Sequence, residues 1–349
     1  MGNPIVIVGS GIVGLYTGFV LAQQDRAKDI TFVAEFMPGD QSHMYTSPWY
    51  GGNFSIVSGD SDAELEYDRV SFLNLKKIHD QFGPEAGIAM LPSIEYYECD
   101  IPSPKKITSL QSYIPDFKIL EKKDLIENAI YGIKFTTFNF YCPKFIAFLK
   151  QYLTARGATF IRRRLNNIDE AFEFGNKSGV TPIVFNCTGI GAYNLGGVAD
   201  KNVYPTRGQV VVIRAPHIRE NRGLVSPHFE TYVIPRPHST GGHVVLGGYM
   251  QSGNWDGTAT YGSETASILE RTRRLYPEID DYGRKPIEIV REAAGLRPSR
   301  TGGTRIERED LGQGRVIIHN YGAGGTGYQS GYGMAVKAIS LMEQNKPKL

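Results

Sequence analysis

The sequence predicts an α/β protein in which a parallel-sheet domain is interleaved with a β-rich α+β domain. Three observations carry this expectation. The N-terminus reads as strand, glycine turn, helix and strand. The stretch from about 203 to 256 is dominated by β-branched runs. Near the C-terminus a strand, a glycine loop and a helix repeat the opening pattern. At 349 residues the chain exceeds the size at which one core usually keeps growing, so two domains are expected.

The elements follow in order. Pro4-Ile-Val-Ile-Val8 is a buried strand, Gly9-Ser-Gly11-Ile-Val-Gly14 a turn, and Leu15 to Ala22 a helix. Ile30 to Ala34 is a second strand, ending in Glu35. Leu65, Val70, Phe72, Leu73, Leu75 and Ile78 space a helix over 62–81. Between 88 and 140, short β-like runs at Ile94–Tyr97 and Phe135–Phe138 are broken by Pro102, Pro104 and Pro115. A helix is expected at 143–155, then strands at Thr159–Ile161 and Ile183–Phe185. Gln209–Arg214, Thr231–Ile234 and His243–Leu246 are strands, the last two joined by a Pro-His-Ser-Thr-Gly-Gly turn. A helix at 263–275, a strand at Val316–Ile318 and a helix over about 327–343 complete the chain. The segments 1–56, 143–202 and 292–349 then form the parallel-sheet domain, and 57–142 and 203–291 the β-rich one.

Composition narrows the function classes. Thirty-eight basic and 36 acidic residues give a formal charge of +2, which points to neither nucleic acid nor an anionic membrane as partner. Arg162-Arg-Arg164 lacks aromatic partners and reads as a solvated strand edge. The three cysteines, Cys99, Cys142 and Cys187, form no CxxC and suit a reducing compartment. His238 and His243 bracket the hairpin without a third ligand nearby, so no metal site is expected. No apolar run is long enough to span a bilayer, and Ile5–Val8 is too short for a signal-peptide core.

The opening unit has the chemistry of a dinucleotide site and makes the first domain Rossmann-like. In Gly9-x-Gly11-x-x-Gly14 the first glycine makes the turn, the second admits a pyrophosphate and the third lets helix pack on strand. The helix N-terminus then faces the phosphates with its amides and dipole. Glu35, at the end of the second strand, is placed to hold a ribose 2′-hydroxyl. This unit alone does not separate FAD from NAD.

Other segments do. Pro38-Gly-Asp-Gln-Ser42, Thr46-Ser-Pro-Trp-Tyr-Gly-Gly-Asn53, Asn186-Cys-Thr-Gly189, Pro205-Thr-Arg-Gly-Gln209, Gly295-Leu-Arg-Pro298, His319-Asn-Tyr-Gly322 and Gly327-Tyr-Gln-Ser330 occur in the order found in the D-amino acid oxidase family. The chain resembles that family, its fungal members above all, from residue 4 to about 343. The resemblance implies a Rossmann-like FAD-binding domain, FAD as cofactor, and oxidative deamination of D-amino acids by hydride transfer to flavin N5. The products would be a 2-oxo acid, ammonia and hydrogen peroxide, with O2 as acceptor.

It also implies roles for residues. Arg297 would pair with the substrate α-carboxylate through its guanidinium fork. Tyr232 would donate its hydroxyl to the same carboxylate, and the Gly325 carbonyl would meet the amine. Met250, Asn53 and Arg236 would line the substrate pocket. FAD contacts would come from Gly9, Ser10, Gly11, Ile12, Val13, Gly14, Glu35, Phe36, Ser47, Gly52, Asn53 and Leu165. Cys187, Thr188, Gly189, Gly324, Gly325, Gly327, Tyr328 and Gln329 would supply the remainder. The motifs hold no His or Glu placed as a general base, which agrees with catalysis by orientation.

Substrate choice rests on Met250, which stands where acid-specific mammalian members carry arginine and fungal members can carry tyrosine. An apolar, adaptable methionine favours neutral substrates. The alternatives are a D-aspartate oxidase, with Arg236, Arg219 or Arg222 as the extra cation, and a glycine- or sarcosine-type amine oxidase. Pro347-Lys348-Leu349 resembles a Ser-Lys-Leu address, so a peroxisomal matrix location and an import receptor as partner are expected, and a homodimer is compatible with the family.

Overall fold

The computed structural model describes residues 3–49, 51–175 and 179–343, so the Pro347-Lys348-Leu349 tail lies outside the described residues. In chain order the elements are β1 (Ile5–Val8), α1 (Ile12–Ala22), β2 (Ile30–Ala34), α2 (Asp62–Ala86), β3 (Ile88–Tyr97), α3 (Pro104–Gln111), β4 (Lys118–Ile119), β5 (Tyr131–Phe140), α4 (Cys142–Ala155), β6 (Thr159–Arg162) and β7 (Ile183–Asn186). Then come β8 (Val203–Arg214), β9 (Asn221–Val225), β10 (Glu230–Pro235), β11 (His243–Gly247), β12 (Gln251–Ser252), α5 (Gly262–Leu275), β13 (Ile289–Arg300), β14 (Arg305–Asp310), β15 (Val316–Tyr321) and α6 (Gly327–Ser340). The chain divides into two compact units: Met1–Pro48, Ile146–Pro205 and Arg297–Leu349 form the first, Trp49–Phe145 and Thr206–Leu296 the second.

The first unit is built on a six-stranded sheet of order β14-β15-β7-β1-β2-β6. Every pair is parallel except β14 with β15. β1 and β2 are buried at every residue, as their unbroken apolar runs require when both faces of a sheet are covered. Val6, Val8, Val33, Val184 and Ile317 pack with Leu165 and Ile168 on one side. α1 is buried almost all round because glycine lets it approach its neighbours. A Cβ on Gly18 would lie 2.5 Å from the Phe32 ring, and one on Gly331 of α6 would lie 3.0 Å from Tyr16.

The second unit holds a sheet of order β12-β8-β11-β10-β9-β3-β5-β4, with β13 also paired to β8. The alternation of β8, β10 and β11 divides its apolar residues between two faces. Val211, Ile213, Val233, Val244 and Leu246 pack with Ile268 of α5. Val210, Val212, Ile234, Val245 and Ala293 form the opposite layer, against which Trp49 and Tyr232 pack.

Three expectations need correction. The proline-broken region is not a set of short runs: β3 and β5 pair antiparallel over ten residues, Ile88↔Phe140 to Tyr97↔Tyr131. Pro104 does not break structure there. It opens α3 behind Ser103, whose side chain accepts from the Lys106 amide, a position where proline loses no hydrogen bond. Third, residues 49–53 belong to the second unit, not the first. A Cβ on Gly51 would lie 2.7 Å from Ile234, the Phe140 amide donates to the Gly52 carbonyl (2.7 Å), and Asn53 bridges Asn139.

Candidate active site

In the first unit two of the three fingerprint glycines, Gly9 and Gly14, fill places that a side chain could not. Gly9 has φ +105° and its missing Cβ would strike the Cys187 carbonyl; that of Gly14 would strike the Gly9 carbonyl. A Cβ built on Gly11 would lie 3.2 Å from the Ser47 hydroxyl and 3.9 Å from the Tyr45 ring, both side chains and not backbone. Gly11 is the N-cap of α1 and offers no side-chain cap. The Ile12 amide donates to Ser47 Oγ (3.0 Å), while no acceptor among the described residues meets the amides of Val13 and Gly14. A helix N-terminus with two open amides and no side chain of its own at the cap is fitted to phosphate oxygens, so the residues present suit the pyrophosphate of a dinucleotide.

The flank of this turn is fixed by hydrogen bonds. Ser10 Oγ donates to the Phe36 carbonyl (2.5 Å), and Tyr45 donates to the Ser10 carbonyl (2.8 Å). Glu35 ends β2 half-exposed, with Arg164 Nη1 3.8 Å from its carboxylate. Arg162 donates to both oxygens of Asp40 (2.5 and 3.1 Å), which holds the Asp40 carboxyl below its usual range. Arg163 approaches Glu170 at 4.0 Å. Each member of the arginine run thus faces an acid. Leu165 turns its side chain into the core beside Val6 and Val8.

Three further sequence motifs meet in the same unit. Gly189 has φ +56° and packs on Pro298, and the Gly324 amide donates to the Pro298 carbonyl (2.9 Å). Gly325 lies along Arg297: a Cβ there would be 3.7 Å from Arg297 Cδ and 3.8 Å from Nε. Arg297 is only 6% exposed. Gly327 opens α6 against Ile12, Tyr328 donates to the Ser47 carbonyl (2.7 Å), and Gln329 is buried. Cys187 is buried, and burial pushes its thiol up to about 12, so it is no nucleophile at neutral pH.

In the second unit Tyr232 pairs with Gly247 across β10 and β11, and its ring lies flat over Gly247 and Gly248. Any side chain at either glycine would displace it. Arg236 donates to the Trp49 carbonyl (3.4 Å), and Arg291 stacks over the Trp49 ring at 4.5 Å. Arg222 stands opposite Val233, on the face away from Tyr232, and is held by Glu220 and Glu278 (3.2 and 3.6 Å). Arg219 is exposed. Tyr249 packs towards α5 with Phe229, while Met250 is 51% exposed. Sequence reasoning gave no role to Arg291 or Trp49. Alternation with Ala293 and Gly295 up to Arg297 would have found Arg291 had β13 been read as a strand.

The residue pattern that matches across known proteins covers nearly the whole chain: the FAD dependent oxidoreductase family model matches residues 4–341. The chain belongs to this family. FAD is its cofactor. A D-amino-acid oxidase of Schizosaccharomyces pombe is 42% identical over 97% of this chain and 96% of the relative. A D-amino-acid oxidase of Fusarium vanettenii is 32% identical over 99% and 98%, and a D-aspartate oxidase of Talaromyces thermophilus 29% over 97% and 94%. The L-proline dehydrogenase structure from P. horikoshii has a TM-score of 0.75 at 17% identity, covering 99% of this chain and 95% of that one, and so shares the fold.

Proposed function

We propose that this FAD-dependent oxidoreductase is a D-amino acid oxidase that favours neutral side chains. The observation that carries the reading is the buried Arg297 lying along Gly325, beside the Pro298, Gly189 and Gly324 contacts. The D-amino-acid oxidases of Schizosaccharomyces pombe and Fusarium vanettenii, matched over nearly their whole length, support it.

The open amides of Val13 and Gly14 would hold the cofactor pyrophosphate, Glu35 the adenosine ribose, and the Cys187–Gly189 and Gly324–Gln329 segments would line the flavin. FAD when bound would supply the two-electron acceptor, with O2 as the final oxidant and hydrogen peroxide as its product. Arg297 takes the substrate α-carboxylate by its fork, the only geometry that gives two charge-assisted bonds at once. By resemblance to the family, Tyr232 would supply one hydroxyl donor to a substrate carboxylate, from a ring immobilised on Gly247 and Gly248. The Gly325 carbonyl accepts from the amine. These groups would fix two substituents of the substrate carbon, the carboxylate and the amine; only with the side chain directed into its own pocket would the remaining hydrogen have one direction and the other enantiomer be excluded. No side chain is required to remove a carbon-bound proton.

Neutral preference is supported by Met250, which has no charge to offer a second carboxylate. Desolvating an unpaired carboxylate costs several kcal/mol. The D-aspartate reading keeps one observation in its favour: Arg236 and Arg291 both lie against Trp49, which packs on the same apolar layer as Tyr232. A peroxide-coupled comparison of D-alanine, D-methionine and D-aspartate tests the proposal. Higher kcat/KM for the neutral pair supports it, and a clear preference for D-aspartate assigns one of these arginines to the side-chain carboxylate. A peroxisomal location is supported by peroxide as product and by the Pro347-Lys348-Leu349 tail. Imaging the tagged chain with and without those three residues checks it.

A further inference from the structure

His319 and Asn186 stand side by side in the parallel pairing of β15 with β7, and both are completely buried. His319 Nε2 lies 2.9 Å from Glu309 Oε2 of β14, and Nδ1 lies 3.1 Å from Asn186 Nδ2. The partners leave one self-consistent assignment of protons. A carboxylate only accepts, so Nε2 carries the hydrogen. An amide nitrogen only donates, so Nδ1 is the bare acceptor. Asn186 cannot be turned round without loss. Its Oδ1 already accepts from the Thr188 hydroxyl (2.7 Å) and the Thr188 amide (3.3 Å), and a flipped amide would face both with a donor.

The chain of bonds therefore runs from Glu309 through His319 and Asn186 to Thr188. It ends in the turn whose Cys187 carbonyl fills the space beside Gly9 and whose Cys187 side chain lies 3.3 Å from a Cβ built at Gly14. We infer that His319, held as the neutral Nε2–H tautomer between Glu309 and Asn186, is a positioning residue that sets the Cys187–Gly189 turn for FAD. The inference rests on the reading of that turn as part of the flavin site.

Protonation would break the relay. A second hydrogen on Nδ1 would point at the Asn186 amide donor, and relief by flipping the amide would release Thr188. Burial holds the His319 pKa below its usual 6.5, against the hydrogen bond that Nε2–H donates to Glu309, which raises it. The other charged groups facing the ring come from β14: Glu307, directly opposite in the β14–β15 register, raises it and Arg305 lowers it. Asn186 and the Tyr321 ring, 5.8 Å away, are uncharged neighbours. The relay is thus intact at neutral pH and fails on acidification.

The test uses the full-length holoenzyme and its reconstituted apoprotein. Imidazole 15N shifts should show Nε2 protonated and Nδ1 bare at neutral pH; the opposite tautomer, or a cationic ring, overturns the inference with no variant needed. His319→Leu should raise the FAD Kd about tenfold or more. His319→Gln, whose carbonyl can accept from Asn186 and whose amide can donate to Glu309, should stay within about threefold of the parent. The parent Kd should rise as pH falls through the lowered His319 pKa, on the acid side of the usual histidine range, and that of His319→Gln should not. Thr188→Val separates the two layers of the argument. If it leaves the FAD Kd unchanged, the turn is not part of the flavin site. If it weakens FAD while His319→Leu and the pH series do not, the relay is wrong.

Discussion

Replacing Arg297 by Ala should separate catalysis from cofactor binding. Arg297 is 6% exposed, so its charge is nearly stripped of water before substrate arrives, and a carboxylate meeting it is stripped as well. Truncating one partner of such a buried pair costs about 3–5 kcal/mol. That corresponds to a loss of roughly 200- to 5,000-fold in kcat/KM. Arg297→Lys keeps the charge but loses the fork and should recover only part of the loss. The amides proposed to hold phosphate lie on α1, and the contacts of Gly9, Gly11 and Gly14 do not involve Arg297, so flavin content should stay near one per chain. The assay is peroxide release from D-alanine, with the flavin spectrum and its release on denaturation as the control. An Arg297→Ala protein that holds FAD and works within about tenfold of the parent would refute the assignment of the carboxylate to this residue.

Tyr232→Phe removes the proposed hydrogen bond to substrate and leaves the ring on Gly247 and Gly248, so kcat/KM should fall by about 1–2 kcal/mol, roughly 5- to 30-fold. Met250→Arg should raise kcat/KM for D-aspartate and lower it for D-methionine; the half-exposed position accepts the longer side chain, so folding should not suffer. Gly14→Ala should lose FAD and stability together, because the new methyl would meet the Gly9 carbonyl, which a thermal melt and flavin titration would show. Asp200 links pH to stability. Burial raises its pKa, but hydrogen bonds from Arg300 and Tyr321 (2.8 Å each) outweigh this and bring it to about 2. Its folded pKa lies below the unfolded value of 3.8, so its contribution, on the order of 2 kcal/mol, is complete above 3.8 and is lost as pH falls towards 2. Asp200→Asn should lower Tm at neutral pH and flatten its fall between about pH 4 and 2.

What the sequence made legible is what local pattern determines. β1, the fingerprint turn and α1 follow from an apolar run, three glycines and a helical repeat within 22 residues, and the structure reproduces them. Ile183–Phe185 and Val316–Ile318 read as buried runs for the same reason, and the strands run on to Asn186 and Tyr321. β14 was not, because Arg305-Ile-Glu-Arg-Glu-Asp310 is nearly all charge, as suits an edge strand that must not pair further. The full length of β3 and β5 was hidden because Pro92 and Ser93 interrupt the apolar pattern, and only the cross-strand register restores it. The placement of Gly51, Gly52 and Asn53 depends on partners far along the chain, Ile234, Phe140 and Asn139, that no local reading supplies. The same holds for the site. Arg297, Tyr232 and the glycine loop were readable as motifs. The approach of Gly325 to Arg297, the stacking of Arg291 on Trp49 and the tautomer of His319 are products of tertiary contact.

The most direct measurement is anaerobic reduction of the bound flavin by single enantiomers. The account predicts that D-alanine and D-methionine bleach the flavin fully, that their L-forms do not, and that readmitted oxygen restores the spectrum with one peroxide per substrate consumed. A protein that holds FAD but is bleached by no D-amino acid, or equally by both enantiomers, would contradict it.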